Sequence, residues 1–530
     1  MPSTRKPSPA WYALRRTLPP WRFDETFAEL AKLLPRYRVD ELIVKVDTEE
    51  FTHGQPPLAW VRKYQDKLFA IKKELGRLGI VYSLNPWITV GHADRGRDSR
   101  VDLPGLRTVV GHDGIECTSC ACPLSPVWRE HIDAVWTLYA QTAPRVLWIE
   151  DDIRTFNHAP VSFGCFCPLH LARFAKRVGE SVDRERLVAA LFQPGTPHPW
   201  RSQWLDQQHE VMTETAGFLA EVVHRTAPAT ALGLMSSGPG AHCMEGRRWK
   251  PFAAAFADGR PLYSRPPMGN YNEGSLRGFY YSHDSIKATR HCMPAGTIEQ
   301  TEVENVPFTR YSKSAVFTFL EMAISFAYGS HGVTMNFYDH CGTPMASEPA
   351  FGELMRARKP FLEGLARVAQ LPGCYRGVRL LHDEAASARK RLAPGSSWWH
   401  LISSNGALME NLETHGIPTT YEASTVTAAT GQIIRGSSDA EIGALLAGGL
   451  LLDATAAMIL HERGFGPDIG LSAIAAPVHL DSLGAFSAEE LIDPEFGGAP
   501  RKYLTLTTPS LGGRPSLSVL TLARGARVIS

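Results

Sequence analysis

The chain has 530 residues, too many for a single hydrophobic core, so two to four domains are expected. Its 55 Lys and Arg against 54 Asp and Glu leave a net charge of +1, which excludes the general basic field of a nucleic-acid or anionic-membrane binder. No apolar run approaches the roughly 20 residues of a membrane span, and the opening MPSTRKPSPAWYALRR lacks the apolar core of a signal peptide, so a cytoplasmic protein is expected.

In the first two-thirds of the chain, short apolar runs alternate with helical segments, the pattern of a (β/α)8 TIM barrel. Strands are expected at 41–46, 80–84, 146–149, 232–235, around 297–298, and at 333–337. Helices are expected at 23–34, 126–140, 169–178, 204–226 and 312–327, where apolar residues recur at spacings of three and four. Nearly every strand runs into polar or Gly-rich text, such as EDDIRTFNH and SSGPGAH. In a barrel those loops gather at one end, where catalysis sits.

The composition shifts near 371–373. From there to about residue 470, GVRLLHD, NGALMENLETHG, IPTTYEA and GGLLLDATAAMILHERG alternate strand and helix as in a Rossmann-like α/β unit, and the Thr-, Ser- and Leu-rich remainder reads as a small β element. The expected domains are a barrel over 1–372 with a cysteine-rich insertion, an α/β domain over 373–470 and a β-rich domain over 471–530.

Two cysteine clusters, Cys117, Cys120 and Cys122, then Cys165, Cys167 and His170, bracket Glu150, Asp151 and Asp152. Thiolate and imidazole at this spacing suit a tetrahedral zinc, with Cys122, Cys165, Cys167 and His170 as the chosen ligands and Cys117 and Cys120 as spares. A closed four-ligand site has no open position, so the zinc is expected to be structural. No organic cofactor is indicated.

Glu150, Asp151 and Asp152 end an apolar strand, and Glu299, Glu302 and Glu304 close a strand-like AGTIEQTEVENVPF. Carboxylates on two walls of one barrel are what glycoside hydrolysis needs: one protonates the leaving oxygen, the other attacks the anomeric carbon or activates water. Ion pairing to Arg154, Arg310 or Lys313 is the structural alternative. Asp47, Asn85, Trp87, His92, Arg95, Tyr338, Asp339 and His340 follow other strands and suit a neutral sugar, with Trp87 and Trp148 as aromatic platform or core.

These motifs resemble glycoside hydrolase family 42, the bacterial β-galactosidases. The resemblance rests on Cys122 in CPLSP, Trp148 to Asp152 in WIEDD, Cys165 and Cys167 in GCFC, Glu299 and Gln300 in IEQ with Asn305 after them, and AYGSHGVTMNF. It implies a barrel, a trimerisation-like α/β domain and a small β domain, and hence a homotrimer. It also implies a nucleophile at Glu299, with Glu302 as rival, and a sugar contact at Asn305. The family's Asn-Glu acid/base pair is replaced by Asp151-Asp152, which makes Asp152 the first choice, ahead of Asp151 and Glu150. His170 stands where the family has a further cysteine, and the family's opening strand motif is not evident near Trp11 to Trp21. The leading expectation is a retaining exo-glycosidase on a small neutral glycoside. A zinc-dependent barrel hydrolase and a sugar-binding barrel without chemistry are the alternatives.

Overall fold

A computed structural model describes residues 10–274, 278–309, 311–371, 375–475, 478–479, 489–497, 501–503 and 516–529. These fall into two compact units, one of residues up to 375 with 391–406, the other of 376–390 with 407 onward.

The first unit is a closed barrel of eight parallel strands: β1 (Trp11–Thr17), β2 (Glu41–Val46), β3 (Val81–Pro86), β4 (Val146–Ile149), β5 (Ala231–Met235), β6 (Leu262–Arg265), β7 (Ile298–Glu304) and β8 (Gly332–Asn336). Pairing of Trp11 with Gly332 closes it. Two strands, β1 and β6, fall outside the strands expected from sequence. Helices Phe23–Arg36, Pro126–Gln141, Pro168–Val178, Pro199–Thr226 and Ala315–Ala327 lie where the spacing predicts, with shifts at their ends.

Strand alternation sorts the side chains into two cores. Outward residues such as Leu14, Leu42, Val44, Leu147, Ile149, Leu234, Val303 and Met335 pack against the helices in one continuous apolar layer. Inward residues Ala13, Ile43, Val146, Trp148, Met235 and Tyr263 fill the lower barrel. Trp148 is thus floor packing rather than a sugar platform, and its indole lies over Gly233, where a Cβ would meet the ring at 2.4 Å. Above this floor the interior turns polar: Arg15, Lys45, Asn85, Glu150, Arg265, Glu302 and Glu304 are all buried.

The second unit carries four parallel strands in the order Thr419–Thr420, Val378–Leu380, Val426–Ala429, Gly449–Leu452, with helices Gly406–Thr414 and Asp439–Leu446 between strands in sequence and Ala454–Leu460 after the last strand. Strand Val426–Ala429 is additional to those the sequence suggests. Beyond residue 470, the described residues form antiparallel pairs, including Leu471–Ile474 with Leu520–Leu522. Much of the expected 471–530 domain lies outside the described residues.

Candidate active site

Arg15 organises the polar end of the barrel. Its Nε donates to Asn85 Oδ1 on β3 at 2.8 Å, and Nη2 pairs with Glu150, the first residue after β4. Nη1 lies 3.7 Å from Glu302 Oε1 and 3.6 Å from Glu304 Oε2, both on β7. Arg265, the last residue of β6, pairs with Glu302 and reaches within 3.9 Å of Glu150. Two carboxylates from β4 and β7 therefore share two guanidinium groups at the C-terminal end of the barrel. Burial pushes the Glu304 carboxyl up, but Arg15 and Lys45 hold it below the usual range.

Glu299 is elsewhere. It stands second in β7, and alternation turns it outward, where Arg290 Nη2 donates to Oε1 at 2.6 Å and Nε to Oε2 at 3.0 Å, with Ser330 Oγ donating to Oε1 at 2.5 Å. The expectation that Glu299 faces residues 150–152 across the mouth does not hold. The strand runs on to Glu304, so Gln300, Glu302 and Glu304 point in.

Asp152 is also turned away. Its Oδ2 accepts from the backbone N–H of Thr89 at 2.6 Å and of Gly91 at 2.8 Å, fixing the loop after β3, and burial raises its carboxyl above the ordinary value. Asp151 lies at the rim, bound by Arg154, by Ser237 Oγ at 2.8 Å and facing His92 Nε2 at 3.2 Å. Burial would raise its carboxyl, yet Arg154 and His92 hold it well below the usual range. Regular alternation ends with β4 at Ile149, which is why Glu150 alone of the three joins Arg15. Of the structural cations proposed from sequence, Arg154 does pair with Asp151, Lys313 pairs instead with Glu321 at 2.5 Å, and Arg310 lies outside the described residues.

Of the expected sugar contacts, Asn85, Trp87, His92 and His340 gather around the mouth. The Trp87 ring stacks on His92 with centroids 5.0 Å apart and has Arg15 at 5.1 Å and Lys45 Nζ at 4.2 Å. Burial disfavours charge on His92, but Asp151 and Glu49 raise it to about 9. Arg95 is drawn to Glu49 Oε2 at 2.9 Å. Asp339 caps the backbone N–H groups of Cys341 and Thr343. The remaining three face the helical layer: Asp47 accepts from Tyr139, Asn305 donates to Thr318 Oγ1 at 3.4 Å, and Tyr338 packs against Phe351 with Arg16 over its ring. Arg15, Lys45 and Arg265 are absent from the sequence-based list. Alternation in WYALRRT, with Trp11, Ala13 and Arg15 on one face, is the signal that would have found the first.

The cysteine cluster lies in the insertions around this end. Cys122 Sγ is 3.5 Å from His170 Nδ1, and Cys167 Sγ is 3.5 Å from Cys122 Sγ and 3.4 Å from His170 Nδ1. With Cys165, four buried ligand atoms lie within 4.8 Å of one another. Bonds of about 2.3 Å to sulfur and 2.0–2.1 Å to nitrogen in a tetrahedron give edges of roughly 3.5–3.8 Å, so this donor set can hold a metal ion. Cys117 and Cys120 are not part of that group; Cys117 Sγ contacts Ala159 O at 3.7 Å.

The fold is a closed barrel of eight parallel strands ringed by helices. No family model matches the chain, and no curated protein matches it. Among solved structures it is similar to β-galactosidases. A catalytic mutant of a glycoside hydrolase family 42 β-galactosidase from G. stearothermophilus aligns with TM-score 0.59 and 13% identity over 93% of this chain and 79% of that one. The enzyme from the psychrophilic Marinomonas ef1 gives 0.58 and 12% over 93% and 83%. That from the haloarchaeon Halorubrum lacusprofundi gives 0.56 and 12% over 90% and 79%. At such identities the likeness is one of fold. Among the described residues, no helix is long and apolar enough to cross a membrane.

Proposed function

We propose that the protein is a glycosidase acting on a small neutral glycoside, with Glu150 and Glu302 as its two carboxylates. The observation that carries this reading is their convergence on Arg15 and Arg265 from the ends of β4 and β7. Hydrolysis by two carboxylates uses separations of about 5 to 9.5 Å. One of the pair would protonate the leaving oxygen while the other attacks or activates water. Asn85 and His340 would serve sugar hydroxyls, and Trp87 the ring face. The similarity to β-galactosidases makes an aryl β-galactoside the first substrate to try.

The cluster Cys122, Cys165, Cys167 and His170 would hold a structural zinc that fixes the insertions beside the mouth. All four of its positions are filled by protein, so it would supply no water for the reaction.

A second reading, a sugar-binding barrel without chemistry, draws support from the same arginines, since each acid already has a buried cationic partner. The two separate on a panel of aryl glycosides tested with wild type, Glu150→Gln, Glu302→Gln and Glu299→Gln. A glycosidase loses about 10²- to 10⁴-fold in rate in the first two variants and keeps its rate in the third. Glycoside binding with no turnover by the wild type replaces the first reading with the second.

A further inference from the structure

We propose that Lys45 is a second reactive centre in the barrel mouth, an amine that condenses with the carbonyl of a short hydroxyaldehyde, with His340 as its base and Glu50 orienting His340. The inference shares Asn85, Trp87 and His340 with the glycosidase reading, but its test is separate from that reading's.

Lys45 is the penultimate residue of β2, and its side chain is wholly buried. Its Nζ lies 2.6 Å from His340 Nε2, and His340 Nδ1 lies 2.8 Å from Glu50 Oε1. Nucleophile, base and carboxylate are neighbours, the set of groups by which proteins activate a nucleophile, with Glu50 an ion-pair neighbour of His340 Nδ1 and not hydrogen-bonded to it. Glu50 is half-exposed, so the set runs from solvent to the charged interior.

A lysine attacks only as the neutral amine, and its surroundings set that balance. Burial and the cations Arg15 and Arg265 oppose the ammonium; Glu304 and Glu50 support it, as does the face of Trp87, which Lys45 shares with Arg15. Burial and Arg15 prevail, and the amine is drawn well below the ordinary lysine range. Burial and Lys45 likewise lower His340 to about 4. Glu50 falls to about 2, against its burial, because His340 faces it. The surroundings thus favour amine, neutral imidazole and carboxylate, with Nζ against Nε2 and Nδ1 toward Glu50.

Attack of Nζ on the aldehyde carbon forms the C–N bond. The amine proton passes to His340 Nε2 and on to the carbonyl oxygen, giving a carbinolamine. Loss of the second amine proton, with the hydroxyl departing as water, leaves the imine. No electrons are gained or lost. Trp87 covers Nζ, and among the described residues its indole N–H finds no hydrogen-bond partner, so it can swing aside without breaking one. Asn85 on the neighbouring β3 and Glu304 on β7 are the groups that would meet the hydroxyls of such an aldehyde.

The test uses the full chain at pH 7 with D-glyceraldehyde, trapping by cyanoborohydride and peptide mapping by mass spectrometry. Lys45 is expected to label about 10²-fold faster than the exposed Lys73 of the same molecules, and to saturate with aldehyde concentration. In His340→Asn the Lys45 rate should fall toward that of Lys73 while Lys73 is unchanged. The comparison is internal to the folded wild type, so it does not depend on a variant folding. Labelling of Lys45 no faster than Lys73 overturns the proposal, whatever the aryl-glycoside panel shows.

Discussion

Arg290 clasps Glu299 with two parallel hydrogen bonds, Nη2 to Oε1 at 2.6 Å and Nε to Oε2 at 3.0 Å, on the outside of β7. Bidentate pairs of this kind are fixed in geometry as well as charge. Here the pair ties β7 to helix Gly278–Cys292.

Glu299→Gln should therefore act on stability and not on turnover. The amide keeps one acceptor and places an N–H group against a guanidinium donor. A loss of about 1–3 kcal/mol in urea unfolding is expected, with unchanged hydrolysis per folded molecule. A rate loss of a hundredfold or more in fully folded protein would return Glu299 to the chemistry.

The same residue marks where the sequence stops being legible. The barrel and most of its helices follow from periodicity, because amphipathic spacing and buried apolar strands are local properties. The inward or outward sense of one acid depends on where a strand begins and ends, and β7 runs on to Glu304 through the polar text EQTEVE, well past the 297–298 that the apolar text marks. Glu150 is misjudged for the opposite reason: β4 stops at Ile149, and the turn that follows breaks the alternation that would have grouped it with Asp152. Arg15 and Lys45 are hidden because a buried cation inside a strand reads as a solvent-facing one until its partners, distant in sequence, are known.

The cysteine cluster should bind one zinc per chain, measurable by elemental analysis of the purified protein. Removal by a strong chelator is expected to lower the melting temperature, and zinc to restore it. Cys165→Ser should abolish stoichiometric metal with a similar loss of stability. Full thermal stability after complete demetallation would show that the four side chains need no ion.

Gly233 supports the barrel floor by giving the Trp148 indole room. A methyl group there would sit 2.4 Å from a ring carbon, well inside contact distance, and both residues are walled in by neighbouring strands. Gly233→Ala is expected to cost about 1–3 kcal/mol and to change the Trp148 near-ultraviolet signal. Gly179→Ala, whose Cβ meets nothing but whose φ is +76°, tests backbone strain alone and should leave that signal intact.

Asp47 should make stability fall with pH. It is wholly buried against the helical layer, and burial raises its carboxyl from 3.8 to about 7, although the Tyr139 hydroxyl that donates to it works the other way. Because the folded state holds this proton more tightly than the unfolded chain, the contribution is full below about pH 4 and is lost as pH rises through 7. Above that range the folded protein carries a buried carboxylate with one compensating hydrogen bond. Asp47→Asn retains an acceptor for Tyr139 and has no proton to lose. Urea unfolding from pH 4 to 8 should show the wild type losing on the order of 4 kcal/mol relative to the variant between pH 4 and 7, and little beyond. Glu321, also raised by burial, titrates in both proteins and cancels in the difference. A pH-independent difference would mean that Asp47 stays ionised when folded, and that Tyr139 outweighs burial.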